Sequence, residues 1–202
     1  MDKDAYHSIR EKTQGYFRDR GSKFLSFAFP VSCDEDVKNI LNQLRKEYYD
    51  ANHHVYAYRL GVDENNYRSS DDGEPANSSG KPVLGQILSY GLSDVLVVVI
   101  RYFGGVKLGV PGLIHAYRTA ADDALKSADI IEKLVQRTIC VEFPYSLMNQ
   151  VLRLVEEEHA EVFSRDFTED CRLSFRVRKS HYKDVSIKLN QIFGVKIISD
   201  ED

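Results

Sequence analysis

Residues Val95 to Ile100 read Val-Leu-Val-Val-Val-Ile, an aliphatic run with no polar interruption. A strand of this kind is buried on both faces, so it is expected to be the central strand of a domain. At six residues it is the longest such run in the chain, whereas a membrane-spanning helix needs about 20. A chain of 202 residues has room for one large or two small domains, and two are expected. Hydrophobic residues make up 43% and charged residues 29%, a composition that closes a core and excludes a disordered chain.

The pattern on either side of the run is equally readable. Residues 14–31 alternate partly around Arg20-Gly21-Ser22, as in a β-hairpin that turns at a glycine, and Pro30 ends it. Residues 34–49 open on Asp34, Glu35 and Asp36 and carry Val37, Ile40, Leu41, Leu44 and Tyr48 at helical spacing, which predicts an amphipathic helix. A strand is predicted over 53–60, a polar segment to Asp72, a loop over 73–80, and a helix over 81–91 with Pro82 in its first turn. After the central strand, Gly104, Gly105 and Gly109 precede a helix opened by Pro111 and running to about Ser127. From Val135 the pattern starts afresh: strand 138–143, helix 146–158, strands 160–168 and 171–177, helix 181–192, strand 195–199. That βαββαβ order is the ferredoxin-like motif. The expected fold class is α+β, with domains over 1–134 and 135–202.

The first residues are polar and acidic, with no apolar signal segment, so a cytoplasmic protein is expected. Cys33, Cys140 and Cys171 are odd in number and form no CxxC pair, which argues against a disulfide framework or a zinc knuckle. The net charge of −4 provides no global basic field, so any nucleic-acid contact must use a local patch.

Four segments carry chemistry. Asp71, Asp72 and Glu74 place three carboxylates within four positions on a Gly/Pro loop. Hard oxygen ligands of this kind suit Mg²⁺; the alternative is a turn in which Asp71 and Asp72 bond nearby backbone amides. Arg101-Tyr102-Phe103-Gly104-Gly105-Val106-Lys107-Leu108-Gly109 stands at the end of the central strand. There backbone amides, a following helix N-terminus, Arg101 and Lys107 have the makings of a phosphate site, a tight strand-to-helix turn being the alternative. It is neither a Walker A loop nor a dinucleotide turn. His53 and His54 are adjacent, so a strand points them to opposite faces and only one can meet the acidic loop as an acid–base group or phosphate donor, a structural histidine being the alternative. In the second domain, Arg172, Ser174, Arg176 and Arg178 alternate with Cys171, Leu173, Phe175 and Val177, a basic stripe on one sheet face that Lys179 and Lys183 extend. Such a stripe suits RNA phosphates or an acidic protein, although it lacks the paired aromatics that stack bases, a solvated charged edge or face being the alternative.

Ala51-Asn52-His53-His54-Val55-Tyr56-Ala57-Tyr58-Arg59, Ser70-Asp71-Asp72-Gly73-Glu74-Pro75 and the Arg101 to Gly109 segment together resemble the signature of the YigZ/IMPACT family. The resemblance covers essentially the whole chain. It implies an N-terminal domain similar to the second domain of ribosomal protein S-five and a C-terminal domain similar to domain five of elongation factor G. Eukaryotic members that resemble this chain regulate translation through an additional N-terminal domain not found here, so that kinase-pathway role does not transfer. Two departures stand out. Asn77-Ser78-Ser79-Gly80 replaces the usual Gly-Thr-Ala-Gly, and Asn tolerates a left-handed backbone. Val110-Pro111-Gly112-Leu113-Ile114-His115 replaces Thr-Gly-Gly-Leu-Val-Arg, which removes a hydroxyl, a backbone donor and a permanent cation and predicts weaker phosphate binding.

The leading reading is a cytosolic binding protein, without catalysis, that engages RNA or a ribosome-associated partner and modulates translation. Its first-domain cleft is expected to unite His53, His54, Asp71, Asp72, Glu74, Ser78, Arg101, Gly104, Gly105, Lys107, Gly109 and His115. Arg172, Arg176, Arg178, Lys179 and Lys183 are expected to hold RNA phosphates. No resident cofactor, membrane contact or sequence-specific DNA binding is expected. The alternative class is a Mg²⁺-dependent enzyme acting on a small phosphorylated substrate or nucleotide, with His53 or His54 as general base. A pure protein-interaction module is the third.

Overall fold

A computed structural model describes residues 4–167 and 170–201. The described residues divide into two compact units, residues 6–133 and residues from 134 onward, with Asp4 and Ala5 joining the second. The reason lies at Asp4. Its carbonyl accepts from Val135 N at 2.9 Å, and its carboxylate accepts from Ser180 N at 2.8 Å and from Arg178 Nε. Neighbouring β1 (Ala5–Ile9) pairs with β7 (Ile130–Leu134) in a two-stranded ribbon that the sequence pattern did not reveal.

In the larger unit, β2 (Thr13–Asp19), β3 (Ser22–Pro30), β4 (His53–Arg59), β5 (Tyr67–Ser70) and β6 (Val95–Tyr102) form one sheet in the order β2-β3-β6-β4-β5. The pairings are antiparallel. Arg20 and Gly21, both at positive φ, make the two-residue turn between β2 and β3. As the aliphatic run predicts, β6 is central and Val95 through Ile100 are wholly buried. Val95, Val97 and Val99 face α2 (Gly80–Ser89) and α3 (Gly109–Lys126), while Leu96, Val98 and Ile100 face Val37, Leu41 and Leu44 of α1 (Asp34–Glu47). Strand β5 falls within the segment read as merely polar. It is a short edge strand whose residues carry no alternation to find, and only its pairing with β4 extends it.

The smaller unit contains β8 (Gln136–Pro144), α4 (Met148–Glu157), β9 (Glu161–Asp166), β10 (Asp170–Arg178), α5 (Tyr182–Asn190) and β11 (Lys196–Glu201). Its sheet order, β11-β8-β10-β9, is antiparallel throughout and realises the βαββαβ expectation. The predicted strand over 160–168 reaches Thr168, which lies outside the described residues. Single turns of 3₁₀ helix, Tyr145–Leu147 and Lys179–His181, lead into α4 and α5.

Gly15 sets how closely α3 lies on β2: a Cβ there would stand 2.5 Å from Ala124 N and 2.8 Å from the Asp123 carbonyl carbon. Backbone has nowhere to yield at these distances. Gly15→Ala is therefore expected to lower stability by about 1–3 kcal/mol or more, read as a fall in the urea midpoint. An unchanged midpoint would show that α3 shifts freely.

Candidate functional site

The site begins with strand periodicity. Antiparallel pairing sets His53 and Phe24 directly opposite Arg101, so these three share the face of the sheet that α2 and α3 cover. His54, opposite Ile100, takes the α1 face. The two histidines separate as expected, and only His53 belongs to the cleft.

Arg101 is 5% exposed, and a guanidinium so buried requires a counter-charge. Glu74 supplies it from the loop after β5: Arg101 Nη1 donates to Glu74 Oε1 at 2.5 Å, and Tyr117 Oη of α3 donates to the same oxygen at 2.7 Å. Burial, together with the Glu74 charge, pushes the Tyr117 hydroxyl far up, so it remains a donor. Phe24 lies beneath the cluster, edge-on to Tyr117 at 5.2 Å and under the Arg101 guanidinium at 5.5 Å. His53 Nδ1 faces the Asp72 carbonyl at 2.8 Å. Because a carbonyl only accepts, Nδ1 carries the proton, and Nε2, 3.8 Å from Glu74 Oε1, is a bare acceptor in the neutral ring.

The acidic loop follows the turn reading for two of its three carboxylates. Asp71 Oδ1 accepts from Ser79 N, Ser79 Oγ and Gly80 N at 3.1, 2.8 and 2.8 Å, and Oδ2 accepts from Asn77 N at 2.8 Å. Burial raises its pKa, but the Gly80, Asn77 and Ser79 donors outweigh burial and hold it below the ordinary carboxylate range. Asp72 accepts from His54 N at 2.6 Å and sits 3.6 Å from Arg45. Ser78 is fully buried and donates its hydroxyl to the Pro75 carbonyl at 2.6 Å. The Asp71, Asp72 and Glu74 carboxylates thus serve three different sets of partners and do not converge as a Mg²⁺ site would require. Among the described residues, no three His, Cys, Asp or Glu side chains form a metal-holding group. Asn77, at φ +62, takes the left-handed conformation its sequence position predicts.

Above the Arg101–Glu74 pair opens a cavity of about 410 Å³ lined by His53, Phe103, Lys107, and Gly109, Val110 and Leu113 of α3. Gly104 is not a cradle for an anion. Its N–H donates to Ser22 Oγ at 3.1 Å, and a Cβ on it would meet the Gly21 carbonyl carbon at 1.9 Å. Gly105 and Gly109 are needed for their positive φ of +89 and +70. His115 does not line this cavity; it is exposed on α3 with its ring edge-on to Phe17 at 5.8 Å.

Phe103 also borders a second groove of about 530 Å³, with Tyr16, Lys23, Tyr48, Asp50 and Tyr102. The pairings Lys23↔Tyr102, Tyr16↔Leu25 and Arg18↔Lys23 put these side chains on one face, past the stretch that α1 covers. Asp50, the groove's acid, accepts from Tyr102 Oη at 2.8 Å. Burial and this bond push the Tyr102 hydroxyl up to about 12. Sequence reasoning missed this face, whose only local sign is the alternation of Tyr16 with its hairpin partners.

In the smaller unit the arginine stripe faces outward as predicted, but each guanidinium meets a carboxylate. Arg172 lies 3.0 Å from Glu142, Arg176 4.0 Å from Glu161 and Arg178 against Asp4. Lys179 stands in the 3₁₀ turn after β10. Lys183 does not extend the stripe, since α5 lies on the opposite, helix-covered side of the sheet.

These features define a class: a two-unit α+β protein whose larger unit seats a buried Arg–Glu–Tyr cluster beneath a basic, partly apolar cavity. The model of the Impact N-terminal domain matches residues 20–125, a span that holds the whole cluster, and the chain belongs to the IMPACT family. An IMPACT family member of Thermus thermophilus is 37% identical over 156 residues, covering 77% of this chain and 84% of its own. Protein IMPACT of Oryctolagus cuniculus is 40% identical over 102 residues, 48% of this chain and 32% of its own length. A solved structure described as that of an hypothetical protein has a TM-score of 0.77 and 24% identity, with 98% of both chains covered, a likeness of fold. No helix among the described residues is long and apolar enough to cross a membrane.

Two outcomes follow. Glu74→Gln leaves the Arg101 charge buried without its counter-ion and is expected to cost about 3–5 kcal/mol, measured by urea unfolding; a loss below about 1 kcal/mol would show that solvent already screens the pair. His54 is 8% exposed, and burial holds its pKa below 6.5. The unfolded chain then binds the extra proton first, so His54 contributes stability above about pH 6.5 that is lost as pH falls through the folded value. His54→Gln is expected to flatten the fall in urea midpoint from about pH 7 to 5, and an identical slope would remove His54 as its source.

Proposed function

We propose that this protein binds single-stranded RNA along the larger unit and acts in the control of translation. The observation that carries this reading is the face of β2, β3 and β6 left open by α1. There Tyr16 and Tyr102 alternate with Arg18 and Lys23, and Phe103 connects the face to the cavity that holds Arg101, His53 and Lys107. Aromatic rings interleaved with cations are what an unpaired strand needs: bases stack on the rings and phosphates meet the charges. Tyr16 and Phe103 are 51% and 45% exposed, open enough to receive a base. Membership of the IMPACT family supports translation as the setting, as the sequence resemblance implies.

The ion-paired arginines of the smaller unit carry less of this reading. A phosphate reaching Arg172 or Arg178 has to displace Glu142 or Asp4, which offsets much of the gain.

The test is a salt-titrated anisotropy measurement with single-stranded RNA and a duplex control. The single strand is expected to bind more tightly, with affinity falling steeply as salt rises. Replacing Tyr102 with Ala and Lys23 with Glu together is expected to weaken binding by about 10-fold or more. No binding even at low salt would end the RNA reading, and a loss seen only with Arg176→Glu and Arg178→Glu would move the surface to the smaller unit's sheet.

A further inference from the structure

We infer that the cavity beside Phe103 receives the phosphorylated end of an RNA strand, a terminal phosphate monoester with its attached nucleoside. This rests on the RNA reading above and goes beyond it by assigning the cavity a different task from the groove.

The inner wall of the cavity is the Arg101–Glu74 pair, with side chains 6% and 4% exposed. Phe103 lines both the groove and this cavity, so a strand that runs along the groove meets the pair when it turns in past Phe103. The volume, about 410 Å³, lies within the roughly 300–1,000 Å³ of small-ligand sites. A terminal phosphate monoester brings a charge of about −2 to these groups, where an internal phosphodiester brings only one.

The groups around the cavity suit a dianion. Arg101 Nε is buried and without a hydrogen-bond partner, although Nη1 and Nη2 are engaged by Glu74 and Ser22. Lys107 is an exposed ammonium on the cavity rim. The Nδ1 contact with the Asp72 carbonyl leaves His53 Nε2 facing Glu74 and the cavity. The first turn of α3, an 18-residue helix, has neither a capping side chain nor an acidic residue. The Gly109 and Val110 amides are thus in the position where helices hold anions, while Pro111 offers none. Glu74, the cavity's one acidic side chain, already accepts from Arg101 and Tyr117. Phe103, 5.5 Å from the Arg101 guanidinium, offers a ring on which the terminal base stacks.

The experiment compares one short single-stranded RNA in three forms, 5′-phosphorylated, 3′-phosphorylated and with hydroxyls at both ends, by competition anisotropy. One phosphorylated form is expected to bind about 10-fold more tightly than the hydroxyl form, and which one identifies the end that enters. Lys107→Ala is expected to reduce that preference to within about 2-fold while the hydroxyl RNA still binds. Equal binding of all three forms overturns the end-recognition proposal and leaves the RNA groove standing. Binding by none overturns both. A rise in melting temperature with adenosine monophosphate alone, without RNA binding, overturns the RNA end in favour of a free nucleotide.

Discussion

The buried ion pair between Arg101 and Glu74 is the constraint around which the larger unit is organised. A guanidinium at the end of a fully buried strand is tolerable only with a carboxylate brought to it, and that carboxylate comes from a loop with no regular structure. The surrounding network explains how the loop is held. Asp71 ties down the amides of Asn77, Ser79 and Gly80, and Asp72 fixes His54 N and, through its carbonyl, His53. Two of the acidic residues therefore shape the loop so that the third reaches Arg101. Tyr117 and Ser22 complete the cluster from α3 and β3.

The same economy governs the surface above. Helix α1 covers the sheet only as far as its apolar residues Val37, Leu41 and Leu44 reach. Beyond that limit, the pairing of Lys23 with Tyr102 and of Tyr16 with Leu25 exposes rings and cations to solvent. Phe103 borders both this open face and the cavity, and the backbones of Gly21 and Gly104 pack against each other at the hairpin turn. A recognition surface formed this way uses rigid strands for position and one short loop for access.

The smaller unit differs. Its alternation of apolar and charged residues builds a well-defined sheet with a core on one side, but the charged side is neutralised pair by pair. The Arg176 guanidinium also lies over the Phe163 ring at 4.8 Å and 4.0 Å from Glu161. A basic stripe in sequence is not, then, a basic surface in space.

How much was legible can be followed residue by residue. The unbroken run of Val95 to Ile100 determined a central strand, because only a strand with an apolar layer on each side buries six such residues in succession. Period-2 alternation determined that His53 and His54 part company and that Arg172, Arg176 and Arg178 share a face. Helical spacing determined the helices of both units, and the element order determined the βαββαβ sheet. These are local properties that each segment carries with it. The ribbon of β1 with β7, the edge strand β5, the Glu74 partnership with Arg101, the place of His115 outside the cavity and the carboxylates against the arginine stripe were decided only by tertiary structure. Each depends on what lies opposite a residue after the chain has folded, and contacts across as many as 176 positions of sequence, as between Asp4 and Ser180, leave no periodic trace in either segment.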